Sequence, residues 1–254
     1  MIKVEHLSKY FNGRKVLDDI NTEFLPGKCN LIIGKSGSGK TVLMRTLVGL
    51  FQPEEGFVSF DDRVLAKMSK SQKIDVRKDM GVIFQEGALF DSMTVEENIL
   101  FPIRMFKREK RKVMLERVNY CLERVNLDGV NKMYPSELSG GMRKRVAIAR
   151  AIAAKPKYLF CDEPNSGLDP QTSILIDNLI MNLTREFNMT TIINTHDMNS
   201  VMEIGENILY IHEGKLWWQG DNKNVLSSDN KELNDFIFCS ALTKRIKEKE
   251  NNIL

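Results

Sequence analysis

Short apolar runs separated by turn residues open the chain. Ile2 to Leu7 alternates loosely, and Val16 to Leu25 is a second extended stretch that ends at the Pro26-Gly27 turn. Leu31-Ile32-Ile33 is continuous and apolar, as a strand covered on both faces would be. A helix is predicted from Thr41 to Val48, stopped by Gly49, and two further short strands at Gly56 to Phe60 and Gly81 to Phe84. From about Thr94 to Ala154 the spacing becomes nearly continuously helical. Val95, Ile99, Pro102 and Ile103 head one segment, and Val113 to Val125 forms another. Strand signals return at Tyr158 to Cys161, Thr190 to Asn194, Ile208 to Ile211 and Lys215 to Trp218, with a helix over Thr172 to Phe187 between the first two.

Strands alternating with helices imply a parallel sheet covered on both faces. The reading is one α/β domain over 1–254. Its core is 1–87 and 155–220, a helical subdomain is inserted at about 88–154, and 221–254 is a C-terminal extension. In that extension Leu233, Phe236, Ile237 and Ala241 recur at helical spacing from Glu232 to Lys249, with a charged run at Lys244 to Glu250. Either the helix docks on its own domain or it reaches a partner subunit.

Composition changes this picture little. Of 254 residues, 42% are hydrophobic and 28% charged, which suits an ordinary globular fold. A net charge of +3 is too weakly basic to argue for nucleic acid. Cys29, Cys121, Cys161 and Cys239 are far apart and read as small buried hydrophobes, not a disulfide or zinc framework. The first residues have no apolar leader core, and no apolar run approaches the ~18 residues of a membrane span.

The chemistry begins at Gly34-Lys35-Ser36-Gly37-Ser38-Gly39-Lys40-Thr41, which fits G-x-x-x-x-G-K-[ST] between an apolar strand and a helix. Glycines let successive backbone N–H groups point at an anion, and the helix dipole adds to that attraction. Lys40 is expected to reach the β- and γ-phosphates of a nucleoside triphosphate, and the Thr41 hydroxyl to ligate Mg²⁺. Tyr158-Leu159-Phe160-Cys161 runs into Asp162-Glu163-Pro164, and ligands of parallel sheets sit at such strand ends. Asp162 is placed to hold Mg²⁺ and Glu163 to act as general base toward water. His196 follows a third strand and is a candidate γ-phosphate contact. Gln85 follows a fourth, where it orients water or completes the metal shell. His6 and His212 read as structural. Leu138-Ser139-Gly140-Gly141-Met142 opens a helix on an N-capping serine, with two glycines and then Arg143, Lys144 and Arg145. Those cations oppose the helix dipole, which makes sense if the helix receives a phosphate.

The Leu138 to Gly141 stretch, followed by Arg145-Val146-Ala147-Ile148-Ala149-Arg150-Ala151, closely resembles the signature of ATP-binding-cassette (ABC) ATPases. So does the ordered set of the loop, Gln85, Asp162-Glu163, Ser166-Gly167-Leu168-Asp169 and His196, across about residues 2 to 220. The resemblance implies a P-loop NTPase core of ABC type, with an N-terminal antiparallel β part and an inserted α-helical subdomain. It implies ATP and Mg²⁺, and a head-to-tail homodimer in which the loop of one subunit and Ser139, Gly140 and Gly141 of the other sandwich each nucleotide. Asp169 would link the two sites. Phe11 matches the aromatic that stacks on adenine, with Tyr10 adjacent. Met142 departs from the usual glutamine, so a polar contact from that position is not implied.

The segment from Glu86 to Asn98 corresponds to the part that receives a coupling helix from a membrane subunit. Its wording, with the Leu-Ser-Gly-Gly-Met signature, looks most like the phospholipid-transport ATPases of Mla/Mce systems. The implied assembly contains integral-membrane permease subunits and a lipid-binding Mce-type protein, with this chain peripheral at the cytoplasmic face of the inner membrane and no nucleic acid bound. The alternative is a soluble ABC ATPase serving as an assembly or scaffold factor. A small-molecule kinase is disfavoured by the signature. The basic run from Lys107 to Lys112 reads as a solvated helix face in preference to a lipid contact, which a membrane nearby would favour.

Overall fold

The computed structural model describes residues 1–85, 87–106 and 109–238. Two sheets form its frame. The first is a four-stranded antiparallel sheet, ordered β2-β1-β4-β5, from β1 (Ile2–Phe11), β2 (Arg14–Phe24), β4 (Glu55–Phe60) and β5 (Arg63–Val64). The second has six strands, ordered β10-β9-β3-β8-β7-β6. They are β3 (Cys29–Ile33), β6 (Met80–Ile83), β7 (Tyr158–Asp162), β8 (Thr190–Asn194), β9 (Asn207–His212) and β10 (Lys215–Gly220). All its pairings are parallel except β10 with β9. The expected antiparallel β part and parallel core are both present.

Residues of the central strands alternate between two hydrophobic cores, as the two-residue period of a strand requires. Leu31, Ile33, Leu159, Cys161, Ile193 and Tyr210 face one core. Ile32, Tyr158, Phe160, Ile192, Leu209 and Ile211 face the other. The first core is covered by helices α3 (Val95–Phe106), α4 (Arg111–Arg124), α5 (Gly140–Ile152) and α6 (Pro170–Glu186). The second is closed by α1 (Lys40–Leu47) and the antiparallel sheet. Burial on both faces explains why these strands read as unbroken apolar runs.

The expected near-continuous helix over 94–154 is interrupted. Between α4 and α5 the chain is irregular apart from one 3₁₀ turn at Pro135–Glu137. Two helices lie outside the predicted set: α2 (Lys70–Lys78) and α7 (Met198–Ile204). Helix α2 is mostly polar and carries a capping box, Ser69 with Gln72, in place of an apolar stripe. In the extension, α8 (Lys231–Ile237) docks on its own domain. Leu233 and Ile237 are buried, and the Tyr210 hydroxyl donates to the Glu232 carbonyl at 3.0 Å. Ala241, Lys244 to Glu250, Cys239, Glu86, Lys107 and Arg108 lie outside the described residues. Cys29, Cys121 and Cys161 are buried free thiols; burial pushes Cys29 up to about 12 and Cys121 to about 11, so both are inert. Among the described residues no helix is long and apolar enough to cross a membrane.

Candidate nucleotide site

The loop from Gly34 to Gly39 joins β3 to α1, as the motif requires. Two of its glycines cannot be replaced. Gly34 has φ +146° and a Cβ there would meet the Ile211 carbonyl oxygen at 2.2 Å. Gly39, at φ +109°, would meet Leu17 Cδ2 at 2.8 Å. The chain therefore curls tightly against β9 and β2 before entering α1. Lys40 is buried and its ammonium donates to the carbonyls of Gly34 at 2.7 Å and Lys35 at 3.1 Å. Burial lowers its pKa, opposed by the charges of Glu163 and Asp162. A cation over a ring of backbone donors is a trap for phosphate.

A cavity of about 520 Å³ surrounds this loop and is lined also by Thr41, Gln85, Asp162, Glu163, His196 and Phe236. The polar side chains expected at the strand ends thus converge. Asp162 is held by Asn194, whose Nδ2 donates to Oδ1 at 3.0 Å across the β7–β8 pair. Glu163 takes a left-handed φ of +51°, with its N–H donating to the Asn194 carbonyl at 3.0 Å. A non-glycine residue in that region carries some strain, of the kind functional sites retain. Its carboxylate meets the His196 ring, Nδ1 to Oε1 at 2.9 Å. Phe236 belongs to the apolar stripe of the extension; its ring, 5.5 Å from that of Tyr210, also walls the cavity. Only packing of the extension onto β9 brings it there.

The residues fit a magnesium–triphosphate ligand. Ser38 Oγ is buried with no hydrogen-bond partner among the described residues, an orphan that a phosphate oxygen would satisfy. The available metal donors are a hydroxyl, a carboxylate and an amide oxygen, from Thr41, Asp162 and Gln85. All are hard oxygen ligands, as Mg²⁺ prefers when phosphates complete its shell. No cluster of three or more His, Cys, Asp or Glu that would make a dedicated cage occurs among the described residues.

Ser139, Gly140 and Gly141 lie apart from this cavity. Ser139 caps α5, its Oγ accepting from the Met142 N–H at 3.2 Å. Gly140 lines a second concavity of about 480 Å³ with Gln85, Arg143, Lys144 and Ser166 to Leu168. Gly141 is needed for close approach, since a Cβ would lie 3.0 Å from Thr172 Cγ2 on α6. The basic trio after it is engaged inside the chain. Arg143 donates to the Leu138 carbonyl at 2.6 Å, Lys144 to that of Gln85, and Arg145 to that of Asn126 at 2.9 Å. Within the chain these side chains tie the helix to neighbouring turns, while Arg143 and Lys144 also line the concavity.

Arg150, part of the signature stretch, takes a structural role that its sequence context does not announce. It donates to the carbonyls of Gly87 and Ala88, each at 2.7 Å, and so fixes the segment that follows Gln85. The spacing of the basic residues in α5 carries no signal for these two contacts. Asp169 caps α6, accepting from the Thr172 N–H at 3.0 Å. Phe11, 38% exposed, packs edge-on to Phe51 with ring centres 5.3 Å apart, and Lys9 Nζ lies 5.1 Å from its ring. Neither Phe11 nor Tyr10 lines the loop cavity. His6 pairs with Asp19 at the surface, and His212 stacks on Tyr210.

The profile of the family described as ABC transporter matches residues 17–166. A probable ribonucleotide transport ATP-binding protein of Mycobacterium leprae is 34% identical, over 93% of this chain and 68% of that protein. The methionine import ATP-binding protein MetN of Campylobacter jejuni is 36% identical, over 93% and 75%. The intermembrane phospholipid transport system ATP-binding protein MlaF of Haemophilus influenzae is 35% identical, over 93% and 90%. Among solved structures, the dimeric post-hydrolysis state of the ATP-binding cassette MJ0796 bound to ADP and Pi superposes with a TM-score of 0.79. It is 30% identical and the match covers 87% of this chain and 99% of that one. With its loop, strand-end carboxylates and capped glycine helix in place, this chain belongs to the ABC transporter family, as an ATPase that uses ATP with Mg²⁺.

Proposed function

We propose that this chain is the ATP-hydrolysing motor subunit of a membrane transporter that moves phospholipid or a related lipid. Two copies associate head to tail, and closure of the pair around ATP is passed to permease subunits. The observation that carries the transporter reading is an open apolar groove of about 350 Å³ beside Gln85. Phe84, Ala88, Phe90, Phe101, Phe106 and Arg150 line it. Phe84 and Phe90 are 47% and 40% exposed, and an aromatic-lined recess suits an apolar segment of a partner. Phe84 of the groove and Gln85 of the nucleotide cavity are consecutive residues, which offers a short covalent route between the two. The lipid reading rests on the likeness to MlaF and on the wording of the segment after Gln85. A Mce-type lipid-binding protein would then belong to the same assembly, and the chain would sit peripherally on the cytoplasmic face of the membrane.

Within the site, Lys40 and the loop N–H groups hold the β- and γ-phosphates, and Thr41, Asp162 and Gln85 hold the metal. Mg²⁺ supplies charge neutralisation to the phosphates as the bond breaks. Glu163 accepts the proton of the attacking water, and the imidazole of His196 orients that carboxylate and contacts the γ-phosphate. Phe11 offers the adenine platform. The concavity that Gly140 shares with Gln85 stays open to the partner, whose loop-bound ATP is capped by Ser139, Gly140 and Gly141.

Solubilising membranes of the native host, purifying the chain with its partners and extracting bound lipid tests the reading. Phe90→Glu should abolish co-purification of an integral-membrane subunit while ATP binding persists. Retention of every partner by Phe90→Glu and Phe84→Glu would sink the groove as the docking surface. A complex that carries no phospholipid would sink the cargo.

A further inference from the structure

Asp177 is a buried carboxylate that the nucleotide chemistry does not use. It lies in the middle of α6 and is 2% exposed. Its Oδ1 accepts from Asn165 Nδ2 at 2.8 Å and its Oδ2 from the Ser200 hydroxyl at 2.7 Å. Asn165 Nδ2 also lies 3.2 Å from Ser200 Oγ, which closes the three side chains into a ring. Asn165 stands two residues after Glu163, and Ser200 four residues after His196, in the first turn of α7.

Both loops leave the sheet at the ends of β7 and β8, where ladder bonds no longer hold them. The Asp162–Asn194 contact, the Glu163 N–H to Asn194 carbonyl and the His196–Glu163 pair tie the two chains at the strand ends. Further along, the Asp177 carboxylate holds both again. Burying a carboxylate costs free energy that a leucine would not, and Asn165 Oδ1 is left without a partner beside it. An ionised carboxylate only accepts hydrogen bonds, so it forces the Asn165 amide to present its nitrogen and the Ser200 hydroxyl to point inward. Two costly polar groups thereby serve one geometric result.

We propose that Asp177 is a positioning residue for ATP hydrolysis: by gripping Asn165 and Ser200 together it sets the separation of Glu163 and His196. The inference rests on the roles proposed above for those two side chains. Misplacement of reacting groups by about 1 Å can cost on the order of 100-fold in rate without loss of binding.

The test uses the full chain and compares Asp177→Leu with Asp177→Asn, which retains hydrogen-bonding capacity. Asp177→Leu should lower kcat about 10- to 100-fold while MgATP affinity stays within about twofold, and Asp177→Asn should recover most of the rate. Ser200→Ala and Asn165→Ala supply the same split if Asp177→Leu does not fold. Wild-type kcat in a folded Asp177→Leu protein overturns the proposal, and so does a parallel fall of affinity and kcat. Glu163→Gln is measured alongside. Normal turnover by that variant removes the premise, whereas a silent Asp177→Leu beside an inactive Glu163→Gln removes only the positioning role.

Discussion

His196 and Glu163 leave neighbouring strands of one sheet and meet side chain to side chain, His196 Nδ1 lying 2.9 Å from Glu163 Oε1. The pair is asymmetric in exposure: His196 is 68% and Glu163 18% exposed at the side chain. The carboxylate is therefore largely enclosed while the imidazole stays open to solvent. Removing the proposed base while keeping its shape, as Glu163→Gln does, should lower turnover at least about 100-fold. ATP binding, measured by equilibrium titration, should be retained. His196→Ala should lower kcat by a similar order with little change in affinity.

Lys40 makes a different prediction. Its ammonium is already positioned by two loop carbonyls, so the proposed phosphate contact needs little reorganisation. Charge-assisted hydrogen bonds of this type contribute about 1.5–3 kcal/mol. Lys40→Ala should therefore weaken ATP binding about 10- to 100-fold, read by titration of the purified chain.

Arg150 anchors the segment after Gln85 through two carbonyls, and Ala88 there sits at a left-handed φ of +46°. Removing the guanidinium leaves both carbonyls to find water and frees a strained residue. Arg150→Met should lower the melting temperature, with a loss of about 1–3 kcal/mol. ATP affinity of the isolated chain should change little, because Arg150 does not line the loop cavity.

Acid titration offers a fourth check. Burial raises the Asp177 carboxyl from 3.8 to about 6, against the pull of Ser200 and Asn165, with Asp197 and Glu203 adding repulsion. Between those values the native chain binds a proton that the unfolded chain has released. This group's contribution to stability is thus greatest below about pH 4 and is lost as pH rises through about 6. Carboxylates with lowered pKa, such as Asp169 beside Thr172, contribute in the opposite sense. The difference between wild type and Asp177→Asn isolates the effect. The variant should gain relative stability from about pH 4 to 6 and hold that gain at neutrality, by about 1.4 kcal/mol for each tenfold difference in proton affinity between the native and unfolded chains. Denaturant melts across that range follow it. A flat difference curve would show that Asp177 keeps an ordinary pKa in the native chain.

The nucleotide loop, the acidic strand end, His196 and the capped glycine helix were all legible in the linear sequence. Each is a local device: a glycine where the backbone must curl, a carboxylate at the end of an apolar run, a serine before a helix. The alternation of Leu31, Ile32 and Ile33 between two cores was implicit in the unbroken apolar run. Local spacing and chemistry decide such features, so residues near in sequence suffice to announce them.

Tertiary packing decided the rest. The engagement of Arg143, Lys144 and Arg145 with carbonyls of neighbouring turns was invisible, because a basic run reads the same whether it faces phosphate or peptide. Phe236 reached the nucleotide cavity only because the extension folds back over Tyr210. Arg150 and Asp177 act through partners at least 12 positions away, and nothing in their own neighbourhoods announces those contacts. Sequence alone determined what chemistry the strand ends carry, since that depends on residue type and place along the strand. Only the three-dimensional fold decided which side chains hold those ends in position, because a buried charge is given its partner by the chains that pack around it.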